Sequence, residues 1–408
     1  MKSIALIITM LSAAFVNAQT LEDYQTMAVE SNPGLMGLYK EYEASMQKVA
    51  QVSTLPDPSF SFGYFISPVE TRLGAQRVRL SLTQMFPWFG TLKAQGDAAA
   101  LMAEAKFQSF ADARNKLFFQ VAAAYYPLYE LHELTSLEKE NIRILEAYKA
   151  IATSKFENGN GGMVDVIRVD IMLSEAQTNL SIMHDKEKPL RLVFNKLLNR
   201  PDEEKVLIAD SLNVEDIEVD YRKDSLLINN PLLNALELKL KASEWNAQIA
   251  QKRGLPKIGV GLDYVVIGKR TDVIMPDNGK DALMPMLTLS LPVFRGKYRA
   301  SVKEAQLAQE SYAYAKSETA NNLISGYEMA WFEINQQQKL ASLYDNLIQS
   351  SQQSLNLLFT AYGNSGKDFE EVLRMQQQLL KYSKMRSTAL AQQQIALAKI
   401  NYLTAKTN

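Results

Sequence analysis

An internal repeat constrains this chain more than its composition does. Residues 29–36 read VESNPGLM and residues 227–234 read LINNPLLN; each leads into a helical run, 35–53 and 232–253, that ends in a Leu-Pro pair, Leu55-Pro56 and Leu255-Pro256. An alternating stretch follows in both halves. MFPWFG at 85–90 and SLPVFRG at 290–296 then open very long helical patterns. These break at FENGNGG (156–162) and AYGNSGK (361–367) and resume as VDVIRVD (164–170) and EEVLRMQ (370–376). Matching positions keep one order and lie about 200 residues apart, which marks a duplication. The first repeat is expected over 19–205, with strands near 57–67 and 76–85, a long helix at 91–157 and a return helix at 163–199. The second is expected over 206–408, with strands near 257–267 and 283–291, a long helix at 297–362 and a return helix at 367–405.

The long helices exclude an ordinary globular fold. Thr91 to Glu157 is 67 residues, roughly 100 Å at 1.5 Å per residue, whereas globular helices average about a dozen residues. Leu137, Asn141, Ile144, Tyr148 and Ile151 alternate steps of four and three, as do Tyr344, Ile348, Ser351, Leu355, Leu358 and Tyr362. That spacing belongs to helices packed side by side at a shallow angle, as in a coiled coil. Pro127 has no counterpart in the second repeat and is expected to kink or locally break the first long helix.

The short stretches alternate with period two. Phe60, Phe62 and Tyr64 alternate with Ser59, Ser61 and Gly63, and Val78, Leu80 and Leu82 with Arg77, Arg79, Ser81 and Thr83. Ile258, Val260, Leu262 and Tyr264 alternate with Gly259, Gly261 and Asp263, and Leu287, Leu289 and Leu291 with Met286, Thr288 and Ser290. Such a pattern fits a transmembrane β-strand or a half-buried hairpin on a soluble domain. Four strands close no barrel alone, since the smallest membrane barrels have about eight, and open edges are not tolerated in lipid. Strands in membrane would therefore require oligomerisation.

Composition and targeting narrow the choice. The 408 residues carry 44 Lys+Arg against 45 Asp+Glu, two His and no Cys. No basic surplus points to nucleic acid, and no thiolate metal site or thiol nucleophile is available. Lys2, the apolar run Ile4 to Val16 and the small-residue site Val16-Asn17-Ala18 read as a signal peptide over 1–18. Sixteen Met residues, with Met284-Pro285-Met286 in one strand, invite a Cu(I) reading, but Met is more often a flexible core filler. No metal site, cofactor or enzymatic activity is expected.

The duplicated helix–strand–strand–helix plan, the signal peptide, the junctions FPWFG and LPVFRG, and the tips FENGNGGMVDV and YGNSGKDFEEVL resemble TolC-type outer-membrane efflux proteins over essentially the whole mature chain. The resemblance implies a mainly α fold with a β-barrel portion. Four strands per protomer would contribute to a trimeric transmembrane barrel continued by a periplasmic α-helical barrel. It also implies an exit duct in the outer membrane of a Gram-negative bacterium, engaged by a periplasmic adaptor and an inner-membrane pump. FPWFG further resembles members paired with heavy-metal pumps of the resistance–nodulation–division class. The irregular stretch 199–228 and the N-terminal helix fall where the family has its equatorial belt.

The candidate sites follow from residues and resemblance together. Gly159, Gly161, Gly162, Gly363 and Gly366 allow the positive-φ turns that reverse a helix at a tip, where an adaptor would grip. A phosphate loop is the rival reading of GNGG, but the Lys-Ser/Thr pair is missing. The family's charged periplasmic constriction maps onto Asp165, Tyr362, Lys367, Glu371 and, where an acid is expected, Arg374. Asp368 and Glu370 read as helix-starting acids near the positive dipole. Phe86, Trp88, Phe89 and Phe294 suit a membrane-interface girdle in contact with outer-membrane lipid, or a plug between helices. A soluble periplasmic coiled-coil scaffold or adaptor is the alternative function; it leaves the strands and these aromatics unexplained.

Overall fold

The computed structural model describes residues 20–209, 212, 223–272, 274–365 and 369–406. The expected signal peptide, Gly366, Lys367 and Asp368 lie outside the described residues. In chain order the elements are α1 (Leu21–Ser31), α2 (Pro33–Ser53), β1 (Ser59–Thr71), β2 (Gly74–Phe86), α3 (Thr91–Glu157), α4 (Met163–Leu197), α5 (Lys223–Ile228), α6 (Pro231–Arg253), β3 (Lys257–Gly268), β4 (Ala282–Ser290), α7 (Gly296–Ser365) and α8 (Phe369–Leu403). They form two compact units that cut across the sequence repeats. One takes the chain up to Pro33, Arg114–Ser225 and from Ile324 onward, and the other takes Gly34–Ala113 and Leu226–Leu323.

The second unit holds one antiparallel sheet of order β1-β2-β3-β4, so β1 and β4 are edges. The first hairpin is tighter than expected. In place of a loop over 67–76, β1 and β2 run on to a turn at Thr71–Gly74. Gly74 makes this possible at φ 133, where a Cβ would lie 1.8 Å from the Gly268 carbonyl oxygen. A register shift between Tyr64 and Val69 accommodates Pro68, which belongs on an edge strand because it donates no ladder hydrogen bond. Beside the sheet, small residues let helices approach: Ala94 and Ala98 of α3 bury against Ile249 and Trp245 of α6. Tyr39 of α2 packs on Phe110 of α3 at 5.3 Å, and Tyr42 on Phe107 at 5.2 Å.

The first unit is helical. Thr20 and Asp23 form a reciprocal capping box that starts α1. The helix is held by Tyr24, whose ring meets Phe194 edge-on at 5.0 Å while its hydroxyl accepts from the Leu207 N–H at 2.8 Å. The four-three residues Tyr148, Leu355 and Tyr362 do form the seam, joined by Leu145, Ala152, Val166, Val169, Phe369, Val372 and Leu373. Pro127 does not break α3, which is one helix of 67 residues. Its neighbours Tyr125, Tyr126, Leu128 and Tyr129 are all buried, and that packing offsets the hydrogen bond the ring removes.

A buried ion pair crosses this unit. The Glu138 side chain of α3 is 1% exposed and accepts from Lys384 of α8, one turn from the 2.6 Å bond between Thr388 and Glu130. Removing one partner of a buried pair strands a desolvated charge. Lys384→Met is therefore expected to lower stability by about 3–5 kcal/mol, read as a drop in the unfolding midpoint. The double variant Glu138→Gln/Lys384→Met should recover most of the loss. A single variant as stable as the parent would mean that water reaches the carboxylate.

Candidate functional site

Two surfaces matter, the sheet faces and the helical tips. Register assigns the paired strand residues to a face; residues 65–68 and Arg77 fall in register shifts. Phe62, Leu80, Tyr264 and Leu283 form one cross-strand row; Phe60, Leu82, Leu262 and Pro285 form the next. Val260 lies between Gln84 and Leu287, and Ile258 between Phe86 and Leu289. Over these rows the face is apolar apart from Gln84, and none of the described residues covers it: Phe62 is 64% exposed and Leu287 78%. An exposed apolar surface of this extent marks a membrane or interaction site. The other face carries Ser59, Ser61, Gly63, Arg79, Ser81, Thr83, Gly259, Gly261, Thr288 and Ser290, and Arg79 there pairs with the buried Asp263.

At the strand-to-helix junction, the Trp88 carbonyl accepts from the Thr91 N–H at 3.0 Å and the Thr91 hydroxyl at 2.6 Å, which starts α3. Gly90 supplies the turn at φ 75. Phe86 ends the apolar face of β2, Trp88 is half-buried 6.1 Å from the exposed Phe89, and Phe294 is exposed just after β4.

The tips of α3/α4 and α7/α8 share one core in the helical unit. Tyr362 is 2% exposed and stacks on Phe369 at 4.6 Å. Lys155, in the last turn of α3, places its ammonium 3.9 Å over the Tyr362 ring and donates to the Tyr362 carbonyl at 2.7 Å. Burial, with Asp165 second, raises the Tyr362 hydroxyl above the ordinary phenol range, so the ring stays neutral. Arg168 of α4 bonds Glu370 of α8 at 2.9 Å and stands 3.9 Å from Asp165. Glu371 pairs with Arg374 within α8. Lys149 and Asp170 add a 2.6 Å bridge between α3 and α4.

The expected tip residues therefore separate. Asp165, Tyr362, Glu371 and Arg374 all lie at the tips, but Tyr362 is a core residue whose hydroxyl has no hydrogen-bond partner among the described residues. Glu370 is more than a helix-starting acid, because it joins two hairpins. Of the five tip glycines, the described ones include only one at positive φ, Gly159 at 73. Gly162 is the N-cap of α4 at φ −93, and Gly363 sits inside α7, which runs on to Ser365. Lys155 was missed because nothing in its local sequence announces a partner 207 residues away.

Comparison with known proteins completes the site. The outer membrane efflux protein family model matches residues 223–406. The pyoverdine export outer membrane protein OpmQ of Pseudomonas putida is 23% identical over 264 residues, 61% of this chain and 55% of that relative. The match thus spans little more than half the length of the curated relative. The solved channel CusC superposes with a TM-score of 0.79 at 14% identity, covering 96% of this chain and 92% of that one. The outer membrane protein VceC from Vibrio cholerae gives 0.75 at 15% identity, covering 94% and 95%. Residues 223–406 match the outer membrane efflux protein family, and the chain has the fold of the TolC-like channels.

Proposed function

We propose that this chain is one protomer of an outer-membrane efflux duct, a passive exit for solutes that performs no chemistry on its cargo. The observation that carries the reading is a four-stranded sheet with one predominantly apolar, exposed face and two unpaired edges among the described residues. In lipid, an apolar outer face is favourable and unpaired edges are not, so the sheet must meet copies of itself. Three copies give about twelve strands, well within the range of membrane barrels. No described helix is long and apolar enough to cross a membrane, which leaves the sheet as the candidate span. A soluble periplasmic scaffold would leave the apolar face in water, at odds with how monomeric proteins treat such surfaces.

Assembly is the first test. In mild detergent the protein is expected to be a trimer by light scattering, with gel mobility that changes on heating; a monodisperse monomer overturns the reading. The tips are the proposed contact for a periplasmic adaptor, which would couple the duct to an inner-membrane pump of the resistance–nodulation–division class. Heavy-metal ions or drugs are the proposed cargo. The same tips are the proposed gate: Lys155 on Tyr362 and Arg168 on Glu370 tie the α3/α4 hairpin to the α7/α8 hairpin and favour a closed resting state.

A further inference from the structure

We infer that Arg79 makes the sheet's polar face anion-selecting, with Asp263 as the residue that positions it. The inference rests on the duct reading, in which the polar face lines the lumen once the apolar face meets lipid. Register places a short roster on that face: Ser59, Ser61 and Gly63 of β1, Arg79, Ser81, Thr83 and Met85 of β2, and Lys257 through Val265 at every second residue of β3. From β4 come Ala282, Met284, Met286, Thr288 and Ser290. The charges among these are Lys257, Arg79 and Asp263; Arg77, two residues from Arg79, falls in the register shift, with its guanidinium against Gly268. Lys257 is exposed at the start of β3.

The middle pair presents only its positive member. Asp263 is directly opposite Ser81, two residues from Arg79, which is the diagonal distance a long side chain spans. The guanidinium bonds the Asp263 carboxylate and reaches on to β4, where it stands 3.9 Å from the Met286 sulfur. It therefore lies across β3. The Arg79 side chain keeps 45% of its surface exposed while that of Asp263 keeps none. The neighbouring glycines of β3 leave no room for larger side chains on this face: a Cβ at Gly259 would lie 2.4 Å from the Met85 sulfur, and one at Gly261 2.9 Å from the Thr83 hydroxyl. A solute passing the face meets a fixed guanidinium, and threefold repetition turns it into a ring. Guanidinium is always charged and presents a fork suited to carboxylate or phosphate oxygens. Rings of one sign in a pore raise the local concentration of the opposite ion. Of the two proposed cargo classes this favours drugs that carry negative charge over free metal cations.

The test is the reversal potential of the reconstituted channel in planar bilayers under a potassium chloride gradient. The parent is expected to prefer chloride. Arg79→Gln should lower the chloride-to-potassium permeability ratio about twofold and Arg79→Glu should invert the preference, since either change removes the ring's positive charge. Arg79→Lys should keep the parent's sign, and Asp263→Asn should strengthen it. Heat-modifiable mobility verifies that each variant has assembled. A conducting Arg79→Glu channel with the parent's reversal potential overturns the inference and leaves the duct intact. Assembled protein that does not conduct even when Lys155→Met/Arg168→Glu frees the tips overturns the duct.

Discussion

Replacing Leu80 or Val260 by arginine is expected to prevent the protein from inserting into a membrane. Leu80 lies between Phe62 and Tyr264, and Val260 between Gln84 and Leu287, so both sit within the apolar face rather than at its border. A charged side chain on the lipid face of a barrel costs roughly 2–4 kcal/mol at mid-depth. In a shared barrel the cost recurs in every copy, which makes it large against a marginal total stability. The control is Ser81→Arg, one residue along β2 on the opposite face. It should insert and show normal heat-modifiable mobility, because that face already holds Arg79. If Leu80→Arg and Val260→Arg assemble as the parent does, the faces have been assigned the wrong way round.

The contrast between those residues shows what the chain makes legible. Alternation names the face of Leu80 and of Ser81, because successive strand side chains point to opposite sides whatever they pair with. It names no partner. That Arg79 meets Asp263, 184 residues away, follows only from the β2–β3 register. The long helices were legible for a similar reason: period and glycine punctuation are local signals, and α3 runs Thr91–Glu157 as its pattern indicated. Glycine was misread where context overrides it. Gly363 costs its helix about 1 kcal/mol relative to alanine, and the flanking turns, with Tyr362 buried before it, carry α7 through to Ser365. The role of Tyr362 was misread for want of tertiary information. The resemblance put it in a charged constriction, whereas its ring lies in the core beneath Lys155.

That revision changes which variants should open the duct. Lys155→Met removes both the ammonium over the Tyr362 ring and the 2.7 Å bond to its carbonyl. A cation–π contact contributes about 0.5–1 kcal/mol when exposed and 2 or more when desolvated, and the burial of Tyr362 argues for the upper part of that range. Arg168→Glu places a carboxylate against Glu370 and Asp165 where an attraction stood. An exposed pair contributes only about 0–1 kcal/mol, so the smaller effect belongs here. Moving an equilibrium from 1:99 to 99:1 takes about 5.5 kcal/mol. With each contact present three times, Lys155→Met alone should shift the closed state partway. The double variant Lys155→Met/Arg168→Glu should leave most channels open without an adaptor. Lys367→Asp, proposed to repel Asp165, should act in the same direction. Single-channel conductance in planar bilayers gives the order: parent lowest, Arg168→Glu next, Lys155→Met higher, the double variant highest. An unchanged low conductance in the double variant would mean that closure rests on the packing of Val166, Val169, Phe369 and Val372, with the charged groups merely solvating the tips.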